Sequence, residues 1–180
     1  MPGLPLTSDQ IAQVSGLVAE YISTRRPKYG PRAIPLSAAQ QAAMNGFFSP
    51  QVLESTRLLI LHGERIGNPD FYPALKGLGI KNLPDQSTME AIAFSDVVVS
   101  HVPFTSGLLF HELVHVEQYR QLGVERFSEL YVQGFLKGGS YEAIPLEINA
   151  YTLGDRFEQD PSLHFAVSGE VKNWIVEGRF

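Results

Sequence analysis

The sequence predicts an α+β fold in which helices dominate around a small mixed or antiparallel sheet. Three observations carry this. Apolar residues recur three and four apart in several stretches that have helix start and stop signals, whereas residues 89–100 hold two short apolar runs separated by a polar pair. With 180 residues, 44% hydrophobic and 18% charged, the chain has the composition of one globular domain, spanning 1–180, that can bury its own core.

The elements follow in order. Thr7-x-x-Gln10 is a capping box, and Ile11, Val14, Leu17, Val18, Tyr21 and Ile22 then lie on one helical face. The stretch from Arg25 to Pro35 is rich in turn residues and reads as a loop. Residues 37–45 form a short helix stopped by Gly46, and Ser49-Pro50 opens another helical turn. The apolar run at 57–62 suits a buried strand, with helix as the alternative. Asn68-Pro69 resembles an N-cap followed by Pro at the first helical position, carrying Phe71, Tyr72 and Leu75 to Gly77. Residues 89–94 and 97–100 make a hairpin around Ser95-Asp96. From Thr105 or Ser106 a helix runs to Leu122 and stops at Gly123. A further helix carries Phe127, Leu130, Tyr131 and Phe135 and ends at Gly138-Gly139. Pro145 opens the next, through about Glu158; beyond it only Trp174 stands out, as a packed residue.

The formal charge of −5 opposes a phosphate-binding surface, so nucleic acid is not an expected partner. The local run Arg25, Arg26, Lys28, Arg32 is interrupted by Pro and Gly and reads as solvated. No apolar stretch reaches the roughly 20 residues of a membrane span, and MPGLPLTSDQ lacks the features of an export leader. A cytoplasmic protein is expected. There is no cysteine, which excludes disulfides and thiolate chemistry, so any metal must be held by His or carboxylate.

One segment stands apart: His111-Glu112-Leu113-Val114-His115 is H-E-x-x-H. Side chains four apart in a helix are separated by about 40° around the axis and one turn along it, so both imidazoles can reach one ion. Glu112 sits about 100° round from His111, beside the ion rather than on it, where a general base belongs. With five histidines in the chain, composition alone gives this pattern a chance of roughly 1%. A catalytic zinc takes three protein ligands. Gln118 stands where the longer H-E-x-x-H-x-x-G pattern has glycine, and no histidine follows before His164. The third ligand is therefore expected from a carboxylate downstream: Glu147, in the first turn after Pro145, with Glu142 in the preceding loop as the alternative.

These residues resemble the gluzincin branch of the zincin metallopeptidases, especially its small members, the minigluzincins. Residues 91–119, a hairpin leading into H-E-L-x-H-V-x-Q-Y, are also similar to the zincin-like core domain found with bacterial contractile injection systems. The resemblance covers about 91–155 and implies a zincin-like fold: an active-site helix, a glutamate helix, and a sheet whose edge strand lies above the metal. That edge is 97–100 or its hairpin mate. In the family an acidic residue four after the glutamate ligand orients a histidine. Here that position is Tyr151, and neither Asn149 nor Asp155 has the spacing to replace it. The family's chemistry also uses a donor for the oxyanion. Tyr151 is placed first, with Tyr141, His164 and His101 as others; Tyr119 reads as packing and His62 as core or surface.

Two functions are consistent with this reading. The first is a Zn2+-dependent peptidase acting on a peptide or protein, with His111, His115 and Glu147 as ligands and Glu112 as base. The second is a zincin-shaped binding or assembly module that holds zinc without proteolysis. Residues 1–88 could either cover the cleft or complete the core.

Overall fold

In the computed structural model, which describes residues 6–180, the capping box at Thr7 is formed. The Thr7 hydroxyl accepts from the Gln10 amide at 3.2 Å, and the Gln10 side chain accepts from the Thr7 amide at 2.8 Å. The first five residues, half of the stretch read as lacking a leader, lie outside the described residues. The helix that follows, α1 (Ser8–Tyr29), continues through Arg25 to Lys28, where the sequence suggested a loop. Pro27 lies inside its last turns. An interior proline costs a helix about 3 kcal/mol. Tyr29 is fully buried against Phe94, ring centroids 5.9 Å apart, and burying an aromatic side chain recovers roughly as much. Arg26 is not simply solvated either, since it forks onto Asp96 in the hairpin turn.

β1 (Ile34–Pro35), α2 (Ala38–Met44), α3 (Pro50–Ser55) and β2 (Arg57–Ile60) come next. The run at 57–62 thus supplies a strand, not a helix. α4 (Tyr72–Gly77) begins later than Asn68-Pro69 suggested. Asn68 is used elsewhere: its Oδ1 accepts from the Gln86 amide at 2.8 Å and its Nδ2 donates to Asp85 at 3.1 Å, tying two loops together.

The hairpin is β3 (Ala91–Phe94) and β4 (Val97–Ser100), joined through Ser95 in a left-handed conformation, φ 62°. The sheet order is β1-β2-β4-β3. β2 and β4 are parallel, with Leu58 beside Val98, and the other two pairings are antiparallel, so the small sheet is mixed. Val97 to Ser100 is therefore interior, and its hairpin mate β3 is the edge.

α5 (Ser106–Gly138) is capped by Thr105, whose hydroxyl accepts from the Leu108 amide at 3.1 Å. It is broken at Gly123, where φ 75° and ψ 165° lie outside helical space, which gives the two arms the sequence foresaw. Gly139 ends it in a left-handed conformation. α6 (Pro145–Gln159) follows, then α7 (Val167–Val176), whose buried Val167, Val171 and Trp174 recur at helical spacing without having been read as a helix. The core is continuous: α1, the sheet, both arms of α5, α6 and α7 all contribute to one buried cluster. Residues of the N-terminal half complete this core. No helix among the described residues is long and apolar enough to cross a membrane.

Candidate metal centre

The buried sides of α5 and α6 are fixed by aromatic packing. Phe110, fully buried, stacks on Phe157 of α6 at 4.4 Å and meets Phe47 and Phe48 edge-on. With Phe110 locked inward, the helical period turns His111 and His115 toward the first turn of α6, where Pro145 fixes the start and Glu147 is buried. His111, His115 and Glu147 converge there. The His111 and His115 Nε2 atoms are 3.1 Å apart, and Glu147 Oε2 lies 3.4 Å from the first and 3.2 Å from the second. Glu142 is exposed in the turn before α6 and is not part of the group.

Gln118 settles one tautomer. Its Nε2 donates to the Leu146 carbonyl at 3.0 Å and to Asn149 Oδ1 at 2.9 Å, so its Oε1 is the acceptor facing His115 Nδ1 at 2.9 Å. His115 Nδ1 therefore carries the proton, and the Nε2 lone pair faces His111 and Glu147 when the imidazole is neutral. Two imidazole nitrogens and a carboxylate oxygen without a hydrogen-bond donor of its own converge at a spacing that calls for a cation. Such a group could hold a metal ion. In the metal-free protein the proton serves instead: burial disfavours the His115 imidazolium, but the Glu147 carboxylate outweighs it and pushes His115 up to about 9. Glu147 is held well below the carboxylate range, because His115 and His111 overcome the effect of its burial.

Glu112 borders the group. It is 3% exposed, its Oε2 has no partner, and burial raises its pKa against the opposing charges of His111 and His115. Two cavities meet at this carboxylate. A narrow one of about 90 Å³ runs beneath β3 toward α1, lined by Ile22, Ala93, Phe127 and Tyr131. An open cleft of about 560 Å³ reaches His111 from the other side. Tyr119 donates to the Ala93 carbonyl at 3.3 Å and stacks on Phe127, which pins the edge strand over the site.

The other candidates separate by place. Tyr151 is exposed, its ring 4.5 Å from that of His111, on the open cleft only. Tyr141 borders both cavities, and burial raises its phenol well above the ordinary value. His101 lies elsewhere, with Nδ1 against the Met89 carbonyl at 2.6 Å and Nε2 accepting from the Ile66 amide at 3.0 Å. His164 packs edge-on against Phe47, and His62 is on the surface. Sequence reasoning missed Gln118, noting it only where a glycine was absent. Its position three after His115, on the same helical face, was the available signal.

Comparison with protein-family models, with curated proteins and with solved structures gives no match.

Proposed function

We propose that the protein is a zinc-dependent metallopeptidase that hydrolyses peptide bonds with Glu112 as general base. The convergence of His111, His115 and Glu147 beside a buried Glu112 with one partnerless oxygen carries this reading. In a tetrahedral zinc site with bonds of roughly 2.0–2.1 Å, neighbouring ligand atoms are roughly 3.3–3.4 Å apart. The 3.1 to 3.4 Å separations found here fit that spacing, and two imidazoles with one carboxylate fit zinc better than calcium or magnesium. The order of an H-E-x-x-H helix, a glutamate helix and an edge strand near both supports a zincin-like arrangement of the gluzincin kind.

A bound zinc ion supplies Lewis-acid polarisation of the substrate carbonyl and of water. The chain does the rest. Glu112, its basicity raised by burial, takes a proton at its free oxygen and returns it to the leaving amine. Tyr141 stays protonated and so remains a hydrogen-bond donor for charge that develops on the carbonyl oxygen; it borders both cavities and takes precedence over Tyr151. An extended substrate lies along β3, where Ala91 faces the same side as the engaged Ala93. The narrow cavity of about 90 Å³ accepts a small aliphatic side chain, since even benzene fills a cavity of about 150 Å³.

Glu112→Gln tests the reading. The amide keeps the shape of the side chain and loses the base, so cleavage of a broad peptide library should fall at least about a hundredfold while the zinc content stays the same. Cleavage by the variant at the wild-type rate would refute the mechanism. No cleavage by either form, with zinc bound, would favour a binding module.

A further inference from the structure

The open cleft that reaches His111 is acidic and has no basic lining. Glu90 precedes β3, Asp155 and Glu158 project from α6, and the exposed ring of Tyr151 lies on the wall formed by that helix. No Lys or Arg lines this cleft among the described residues. None of the three carboxylates pairs with a cationic side chain among the described residues. The one cation of α6, Arg156, is turned away. It bonds Glu170 at 2.8 Å, and its guanidinium sits 3.9 Å over the Phe165 ring. The Glu158 carboxylate lies directly against Gly107 in the first turn of α5. At the inner end is the buried Glu112 with its partnerless oxygen, a second sign, independent of the rim, that a polar ligand belongs here.

We propose that this cleft binds a lysine or arginine side chain of the substrate beside the bond to be cleaved. The proposal rests on the peptidase reading and adds the class of substrate. Carboxylates without partners attract a cation, and the face of Tyr151 offers a further contact to an ammonium or guanidinium group. At about 560 Å³ the cleft has the size of an ordinary ligand site and holds a long side chain with neighbouring backbone. The narrower, mostly apolar cavity of about 90 Å³ on the other side of Glu112 is too small for such a group. The two sides of the site therefore select different residues of one peptide.

The test uses the zinc-loaded full chain and matched peptides that carry Lys, Arg, Gln or Glu at a single position near the cleaved bond. At low salt kcat/KM for the Lys and Arg peptides should exceed that for the Gln peptide by about tenfold or more, with Glu the poorest. Salt should shrink that advantage, a measure that needs no variant. The combined variant Glu90→Gln, Asp155→Asn, Glu158→Gln changes exposed residues only and should lose the preference, so that the Lys, Arg and Gln peptides are cleaved with similar kcat/KM. Cleavage without charge preference, or a preference that survives the triple variant, overturns the proposal and leaves the peptidase reading in place. Fluorescence anisotropy with the same labelled peptides covers the remaining cases. Binding of Lys and Arg peptides that depends on the three carboxylates, without any cleavage, upholds the cation site and overturns the peptidase reading. Neither cleavage nor binding overturns both.

Discussion

Gln118→Met is the most informative single change outside the proposed ligands. The replacement has similar length and removes both polar ends of a fully buried side chain that joins α5 to α6. Three groups then lose a partner; the Leu146 carbonyl keeps its place in the α6 ladder, so His115 Nδ1 and Asn149 Oδ1 are the two left unsatisfied. At about 1–3 kcal/mol for each unsatisfied group, the metal-free protein should lose roughly 2–6 kcal/mol. For a chain of this size that is a fall in Tm of roughly 5–20 °C. Because His115 also loses the partner that fixes its tautomer and ring orientation, zinc affinity should fall about 10–100-fold. Competitive chelator titration measures the affinity, and thermal unfolding with and without zinc measures the stability. Gln118→Glu is the useful contrast: it keeps an acceptor for His115 Nδ1 and loses the donor to Leu146 and Asn149, so it should lose stability while retaining most of the zinc affinity. A Gln118→Met protein that binds zinc as tightly as wild type would refute the argument that this side chain orients the ligand.

Glu147→Gln should weaken zinc binding by more than the roughly hundredfold upper range for an outer partner, whereas Glu142→Gln should scarcely change it; chelator titration of the two variants decides this. In the metal-free protein His115 is pushed up from 6.5 to about 9, so its imidazolium stabilises the fold in full below pH 6.5, and that stabilisation is lost as pH rises through about 9. The Tm of the metal-free protein should accordingly fall across that window, and the fall should flatten in Glu147→Gln. At Gly134 a methyl group would meet Pro145 Cδ at 2.6 Å, pushing the start of α6 away from α5. Gly134→Ala should cost about 1–3 kcal/mol in thermal unfolding.

Local signals made much of the fold legible. Thr7-x-x-Gln10, Thr105, Gly123, Gly139 and Pro145 each act through neighbouring backbone, and each marks a real boundary. Where the sequence misled, distant contacts decided. Pro27 stays helical because Tyr29 packs on Phe94, 65 positions away in the chain, and Asn68 fails to cap a helix because it is engaged with Asp85 and Gln86. α7 was missed because Val167, Val171 and Trp174 form a stripe too short to stand out over ten residues. At the site, i and i+4 spacing placed His111 and His115 on one face, and Pro145 placed Glu147 in a first turn. Gln118 escaped because an orienting partner has no fixed spacing of its own, and only the docking of α6 reveals what it holds. The choice between Tyr141 and Tyr151 likewise depends on how the turn before α6 is laid against the cavities.

The break at Gly123 sets the dimensions of the molecule. A straight helix over the 33 residues of α5 would be about 50 Å long. A compact chain of 180 residues is roughly 40 Å across, so an unbroken rod would protrude into water and carry its apolar stripe with it. The combination of φ 75° and ψ 165° is essentially open only to glycine, and it turns the second arm back within the available diameter. That return brings Phe127 and Tyr131 to the narrow cavity beside His115. One residue without a side chain thereby makes a helix too long for its domain into two walls of the same chamber.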